Sequence, residues 1–351
     1  MTEPAAGSRL LDALRRRRVD CTPVWFMRQA GRALPGYRRI RERYRLLDIC
    51  ADADLTTQVT LEPVHALGVD GAILFADITT PLIAVGLEID IVEGVGPVVE
   101  RPIRTSEDIA RIRALDPQAD MPAQLQAIGM LRSELSGSGV ALIGFAGAPF
   151  TVASYLIEGR ATRDFLNTKR LMHEAPEVWH QLLDRLTGLL ENYLKAQVAA
   201  GVQVVQLFDS WAGALAPRDY RRFALPYSRR LLTSPALDDT PTIHFSTGTA
   251  GFLELIREAG GTAVSVDWRI SLDSAWARVG QDVALQGNLD PLVLLAPFPT
   301  VRSEAMAILD AARGRPGHIF NLGHGVHPAT PVETLRQLVD AVHERPLPVA
   351  A

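Results

Sequence analysis

From Val24 onward the chain alternates short apolar runs with longer helical stretches eight times, and no other property narrows its fold as far. The runs fall at residues 23–27, 71–76, 140–145, 202–208, 241–245, 263–266, 283–286 and 318–320. Gly71-Ala72-Ile73-Leu74-Phe75-Ala76 is apolar throughout rather than at every second position, which is what a strand covered on both faces requires. Helical spacing occupies the intervals, notably 52–67, 122–135, 176–201, 217–233, 249–259, 271–279, 300–313 and 331–344. Ser106 reads as the cap of a helix carrying Ile109, Ile112 and Leu115, and Thr330-Pro331-Val332-Glu333 reads as a capping box with proline at the first helical position. Eight strand and helix units predict an α/β fold, a single (β/α)8 TIM-type barrel, because an open doubly wound sheet would leave two exposed edges. Leu87 to Ile91 alternates with period two and the Gly94 to Pro97 turn leads into Val98-Val99, so a hairpin insertion is expected after the second strand. Without linker, repeat or low-complexity segment, residues 1–351 are expected to form one domain.

Charge and cysteine usage limit the partners. The formal net charge is −4, yet residues 28–45 hold seven arginines against Glu42, a local net of 7 − 1 = +6 that leaves −10 elsewhere. That segment either meets an anion or is a solvated helix face. A nucleic-acid module built on Arg38 to Arg45 is disfavoured, since only Tyr37 and Tyr44 accompany the run and the chain as a whole is acidic. Cys21 and Cys50 cannot staple a chain of 351 residues, and neither lies in a Cys-x-x-Cys motif, so a reducing cytoplasm is expected. No signal-peptide core precedes Arg15 to Arg18. Residues 135–157 form an uncharged run of 23, but four glycines, Pro149, three serines and Thr151 break it into strand, turn and helix, so no membrane span is expected.

In a barrel of this kind the site is built at the carboxyl ends of the strands. Reading those ends in order gives Arg28 and Arg32, then Asp77, then Tyr155 in the helix after the third strand, then Asp209 and Ser210, His244 and Ser246, Asp267 and Trp268, Asn288 and Asp290, and finally Asn321 and His324. Two guanidinium forks flanking Gly31 match carboxylates or phosphates two bonds at a time. Asp77 follows six apolar residues, so its charge calls for the strand-one arginines or a cationic ligand; a structural partnership with Arg28 or a helix cap is the blander alternative. Neither G-x-x-x-x-G-K nor a strand-linked G-x-G-x-x-G occurs, which argues against nucleotide cofactors. His324 and His327 are close enough to share a metal, but no carboxylate or thiol stands at matching spacing, so hydrogen bonding to a ligand is favoured. His244 reads as a core histidine, while Asp267, Trp268 and Asp290 read equally well as structure of the rim.

Several motifs carry a resemblance. Trp25-Phe26-Met27-Arg28-Gln29-Ala30-Gly31-Arg32-Ala33-Leu34-Pro35 and Gly144-Phe145-Ala146-Gly147-Ala148-Pro149-Phe150-Thr151-Val152-Ala153-Ser154-Tyr155-Leu156-Ile157-Glu158 are similar to two signatures of the uroporphyrinogen decarboxylase family. Phe75-Ala76-Asp77-Ile78, Phe208-Asp209-Ser210-Trp211-Ala212-Gly213, Gln286-Gly287-Asn288-Leu289-Asp290-Pro291 and Asn321-Leu322-Gly323-His324-Gly325 extend the match over nearly the whole chain in family order. The resemblance implies a cytoplasmic homodimer that converts uroporphyrinogen III to coproporphyrinogen III in haem and chlorophyll biosynthesis, removing four acetate carboxyl groups as carbon dioxide. It implies no metal and no organic cofactor. Carried over by motif, it places substrate contacts on Arg28, Gln29, Ala30, Gly31, Arg32, Asp77, Tyr155, Ser210 and His324, with Asp77 and Arg28 as the catalytic pair.

Zinc-dependent corrinoid and coenzyme M methyltransferases are similar to this barrel family and form the alternative. Those enzymes carry a His-x-Cys pair after strand five and a further Cys near strand eight. Here the corresponding stretches read His244-Phe245-Ser246 and Gly323-His324, so both thiols are missing.

Overall fold

The computed structural model describes residues 7–237 and 239–347; the outermost ends of the domain expected over 1–351 lie outside the described residues. Its strands, in chain order, are β1 (Gly71–Ile73), β2 (Ile89–Val92), β3 (Gly96–Val99), β4 (Ala141–Gly147), β5 (Val204–Asp209), β6 (Thr242–Ser246), β7 (Ala263–Ser265), β8 (Ala284–Gln286) and β9 (His318–Ile319). Seven of them, β1, β4, β5, β6, β7, β8 and β9, form one sheet in that order, each pair parallel. β2 and β3 pair antiparallel by themselves. The architecture is α/β, a curled, mostly parallel sheet with helices, consistent with a TIM-type barrel. Every residue of β4 is buried, which explains why its sequence lacks period-two alternation; β6 is buried throughout as well, although Thr242, His244 and Ser246 alternate with Ile243 and Phe245.

Residues 23–27, expected as a strand, make only one ladder bridge, Val24 to Phe320. Phe320 N–H donates to the Pro23 carbonyl at 2.9 Å, and Asp70 N–H donates to the Val24 carbonyl at 2.8 Å. Pro23 has no N–H to give, and the Val24 N–H goes to the Asp70 carboxylate at 2.8 Å instead of to a neighbouring strand. The segment is nevertheless core, with Val24, Trp25 and Phe26 fully buried. Beneath the mouth, the Trp25 indole N–H donates to Gln286 Oε1 at 2.9 Å, and the Gln286 amide donates to Gln206 and Ser265. Four segments far apart in sequence are thereby cross-linked inside the sheet.

The helices start and stop where local chemistry dictates. Ala53–Leu67 is opened by Asp52, whose carboxylate accepts from Leu55 N–H, and closed by Gly68 at φ 72°. Pro149–Glu158 begins on proline and ends on Gly159 at φ 84°. Pro176–Ala200 buries Leu182, Leu186, Leu189, Leu190 and Tyr193 along one stripe. The uncharged run at 135–157 resolves into β4, a turn and the Pro149 helix, and among the described residues no helix is long and apolar enough to cross a membrane.

Three expectations are corrected. The helix expected over 217–233 is two, Pro217–Phe223 and Leu225–Leu232, because Pro226 lacks an N–H and its ring crowds the carbonyl of Arg222. Thr105, not Ser106, caps the helix Ser106–Ile109, its hydroxyl accepting from Asp108 N–H while the Asp108 carboxylate accepts from Thr105 N–H. The final helix, Val332–His343, has extended Pro331 as its cap residue and no side-chain cap; Thr330 is buried one position too early, its hydroxyl without a partner.

Candidate functional site

The Arg28 to Arg32 turn is held from both ends. Gln29 is buried, its amide oxygen accepting from Phe26 N–H at 2.8 Å and its amide nitrogen donating to the Gly71 carbonyl at 2.7 Å. The Met27 N–H donates to Asn321 Oδ1, and Val326 N–H donates to the Met27 carbonyl at 2.9 Å. Pinned this way, the backbone passes through the left-handed region at Arg28 (φ 60°), Gly31 (φ 99°) and Arg32 (φ 47°). For the two arginines that costs on the order of 1 kcal/mol each, strain of the kind that clusters at functional sites. Arg28 is exposed and its stem packs on Gly325, where an added Cβ would come within 2.6 Å of Arg28 Cδ. Arg32 is half-buried and donates to the Val326 carbonyl at 3.3 Å. Both cations therefore lean on the loop that carries His324. Ala30 packs beside Phe75 in a small apolar cluster, and the Gln29 side chain is consumed within the fold.

Asp77 sits half-buried after β1, in a turn rather than an ion pair. One carboxylate oxygen accepts from Thr79 N–H at 2.9 Å and from the Thr79 hydroxyl at 2.6 Å, while Thr80 Oγ1 accepts from Asp77 N–H. Its other oxygen has no hydrogen-bond or ion-pair partner among the described residues. The expected pairing with the strand-one arginines is absent there, because Thr79 supplies the two donors that a partly buried carboxylate needs. The rest of the arginine-rich segment also disperses. Arg45 pairs with Asp90, and Arg38 donates to the carbonyls of Arg32 and Pro328.

Tyr155 lies flat on Trp211, ring centroids 3.9 Å apart at 28°. Burial pushes its phenol up to about 12; the Asp77 carboxylate adds to that and the Arg28 guanidinium opposes it, so both charges act on this hydroxyl. The stack is anchored by Thr151, whose hydroxyl donates to the fully buried Asp209 at 3.0 Å and accepts from Trp211 N–H at 3.2 Å. Ser210 is half-buried, and its carbonyl accepts from the Thr247 hydroxyl at 2.6 Å. His244 is fully buried as expected; Nδ1 reaches the Ile256 carbonyl, while Nε2, 3.8 Å from Asp209 Oδ2, has no hydrogen-bond partner.

His324 completes the mouth on the loop after β9. Burial, then Arg28 and Arg269, hold its imidazole down at about 4, with Asp267 opposing, so the ring is neutral at pH 7. A neutral imidazole both donates and accepts a hydrogen bond. Next to it runs an aromatic wall: Phe245 lies 6.2 Å from the His324 ring, Phe208 lies 5.5 Å from Phe245, and Phe145 lies 5.4 Å from Phe208, all edge to face. Sequence reasoning missed this wall and Trp211. Alternation in β5 would not have revealed Phe208, since it directly follows the equally apolar Leu207. Trp211, directly after Ser210, was the one legible signal. Cys21 and Cys50 are both buried, and among the described residues no three His, Cys, Asp or Glu side chains converge as metal ligands.

A parallel α/β sheet whose strand ends bring two strained arginines, a carboxylate, a phenol and a neutral imidazole to one rim, beside an aromatic wall, is an arrangement chemically suited to an anionic small molecule, as in an α/β enzyme. The chain belongs to the uroporphyrinogen decarboxylase family, whose profile matches residues 6–345. It is 50% identical over 334 residues to the uroporphyrinogen decarboxylase of Carboxydothermus hydrogenoformans, covering 95% of each chain. It is 52% identical over 338 residues to that of Streptomyces griseus, covering 96% of this chain and 92% of the other. Among solved structures, a methyltransferase from Methanosarcina mazei superposes with a TM-score of 0.78 at 23% identity over 96% of this chain and 97% of its own, a likeness of fold.

Proposed function

We infer that this chain is a cytoplasmic uroporphyrinogen decarboxylase, a single-domain (β/α)8 barrel with the β2–β3 hairpin inserted after its second strand, working as a homodimer. It converts uroporphyrinogen III to coproporphyrinogen III without cofactor. Each cycle takes up one proton and releases one carbon dioxide, turning a ring –CH2–COO⁻ into –CH3. Most decarboxylases borrow an electron sink from a cofactor such as pyridoxal phosphate. A pyrrole protonated on a ring carbon is its own sink: the C–COO⁻ bond breaks, its electron pair flows into the ring as an exocyclic methylene, and a second protonation gives the methyl group as the first proton leaves.

The protein's tasks are then to hold carboxylates, stabilise a transient ring cation and deliver protons. Arg28 and Arg32 offer bidentate forks for carboxylate arms. Asp77, with one oxygen fixed by Thr79, presents the other as a preorganised anion toward pyrrole N–H groups. Arg28 is the proton-delivering partner of the catalytic pair in this reading, with a bound water or His324 as the rival donor. Tyr155, Ser210 and His324 orient the arms, and the backbone of Ala30 and Gly31 sets the spacing of the guanidiniums.

The observation that carries this reading is the pair of arginines held at positive φ against the His324 loop, in a chain of this family. Anaerobic incubation with chemically reduced uroporphyrinogen III in a chelator, followed by chromatography of the oxidised products, tests it. The four-carboxylate product is expected; unchanged eight-carboxylate material, or conversion that requires added zinc, defeats the reading. Sedimentation of the same preparation tests the dimer.

A further inference from the structure

Beyond β7 the chain builds a rim that the mechanism above leaves idle. Asp267 is almost completely buried, with Oδ2 accepting from Gly248 N–H at 2.7 Å and from Arg269 Nη1 at 2.5 Å, and Oδ1 accepting from Arg269 N–H at 3.0 Å. The Arg269 guanidinium lies 4.3 Å from the centre of the Trp268 ring, in cation–π contact. Asn288 fixes the loop from below, its amide nitrogen donating to the carbonyls of Asp267 and Ile270 at 2.9 and 2.7 Å. Arg269 is thus immobilised at one nitrogen and over one face. Its side chain is still 52% exposed, and Nε and Nη2 have no partner among the described residues.

This arginine stands beside the mouth. An added Cβ at Gly323 would come within 2.7 Å of Trp268 Cε3, just as one at Gly325 would meet Arg28. The loop carrying His324 is therefore packed against Trp268 at Gly323 and against the Arg28 stem at Gly325. Consistent with that placement, Arg269 and Arg28 both hold the His324 pKa down.

On the functional reading above, we propose that Arg269 is a third carboxylate-binding guanidinium of the mouth, on the Trp268 segment beside the His324 loop, receiving a peripheral carboxylate arm of the tetrapyrrole on its free edge. Two arginines on one flank leave most arms of an eight-carboxylate ligand without a fork. Arg269 answers that need from another strand. Its charge is already balanced by Asp267, so its role is directional donation. A retained arm held equally in ground and transition states affects KM rather than kcat.

The test compares wild type, Arg269→Gln, Arg269→Lys and the control Arg218→Gln, a substitution of a side chain that is 88% exposed on the helix Pro217–Phe223. KM and kcat are measured anaerobically with reduced uroporphyrinogen III, thermal midpoints are recorded, and equilibrium binding of oxidised uroporphyrin is followed in parallel. Arg269→Gln is expected to raise KM and the uroporphyrin Kd about tenfold, with kcat within about twofold of wild type and the midpoint little changed. The lysine variant recovers part of the loss, and Arg218→Gln matches wild type. Should the Gln variant fail to fold, the Lys variant bears the same test, a raised KM at retained kcat supporting the proposal. Unchanged KM and Kd overturn it, as does a joint fall of kcat, affinity and midpoint, which would mark Arg269 as a mere prop for Asp267. If wild type binds uroporphyrin but leaves the substrate unconverted, the functional reading fails while the binding comparison still judges Arg269.

Discussion

Replacing Asp77 with asparagine isolates a charge without disturbing the turn that holds it. The oxygen that accepts from Thr79 N–H and the Thr79 hydroxyl survives as the amide oxygen, so both bonds persist and only the unpaired oxygen is exchanged for NH2. Stability should change by less than about 0.5 kcal/mol, as for substitutions that break no buried contact. The transition state fares differently. An anion about 4 Å from a developing ring cation, at an effective dielectric near 20, contributes about 4 kcal/mol. Losing it corresponds to roughly a thousandfold in kcat. Anaerobic turnover with reduced uroporphyrinogen, read by product chromatography beside a thermal melt, measures both. An asparagine variant that keeps its midpoint yet turns over within about threefold of wild type refutes the assignment of Asp77 as the cation's counter-charge.

Four further outcomes follow from the same geometry. Arg28→Lys keeps the charge and loses the fork; if Arg28 delivers the proton, kcat falls about a hundredfold, whereas near-wild-type kcat with a raised KM removes it as donor. Gly325→Ala places a methyl group where Arg28 Cδ lies 2.6 Å away, so the arginine stem must shift and kcat/KM should fall about tenfold while CD spectra remain native. Thr151→Val leaves the buried Asp209 oxygen and Trp211 N–H without their shared hydroxyl, costing roughly 1–3 kcal/mol in denaturant unfolding and shifting tryptophan emission; Thr151→Ser should restore both, and equal damage from Ser would disprove the relay. Burial drives the His318 imidazole down to about 4, so the folded state prefers it neutral. Its contribution is complete above about pH 6.5 and is lost as pH falls from there toward 4, roughly 3 kcal/mol in all. The acid limb of the stability curve should flatten in His318→Gln, and an unchanged limb would contradict this.

Much of the site could be read from residues in order because a strand end is a local event. An apolar run that stops on a polar residue shows where a strand leaves the core, and the structure places Asp77, Ser210 and His324 after β1, β5 and β9 as that reading expects. Which way each side chain turns there is decided by neighbours remote in sequence. Gln29 was grouped with the substrate contacts, yet its amide is spent on Phe26 and Gly71. The arginine pairing expected for Asp77 gave way to Thr79, two residues on, a competition that spacing cannot score.

The sequence alone determined the alternation of strand and helix, the absence of a membrane-spanning helix within the uncharged run, and the polar residues at the strand ends, because periodicity and breaker residues act over a few positions. Tertiary structure decided that residues 23–27 join the sheet by a single bridge, that Trp211 lies under Tyr155, and that Trp268 and Arg28 pack on the His324 loop at Gly323 and Gly325. Those contacts join segments tens to hundreds of residues apart, and only packing density and hydrogen-bond satisfaction across the core select among them.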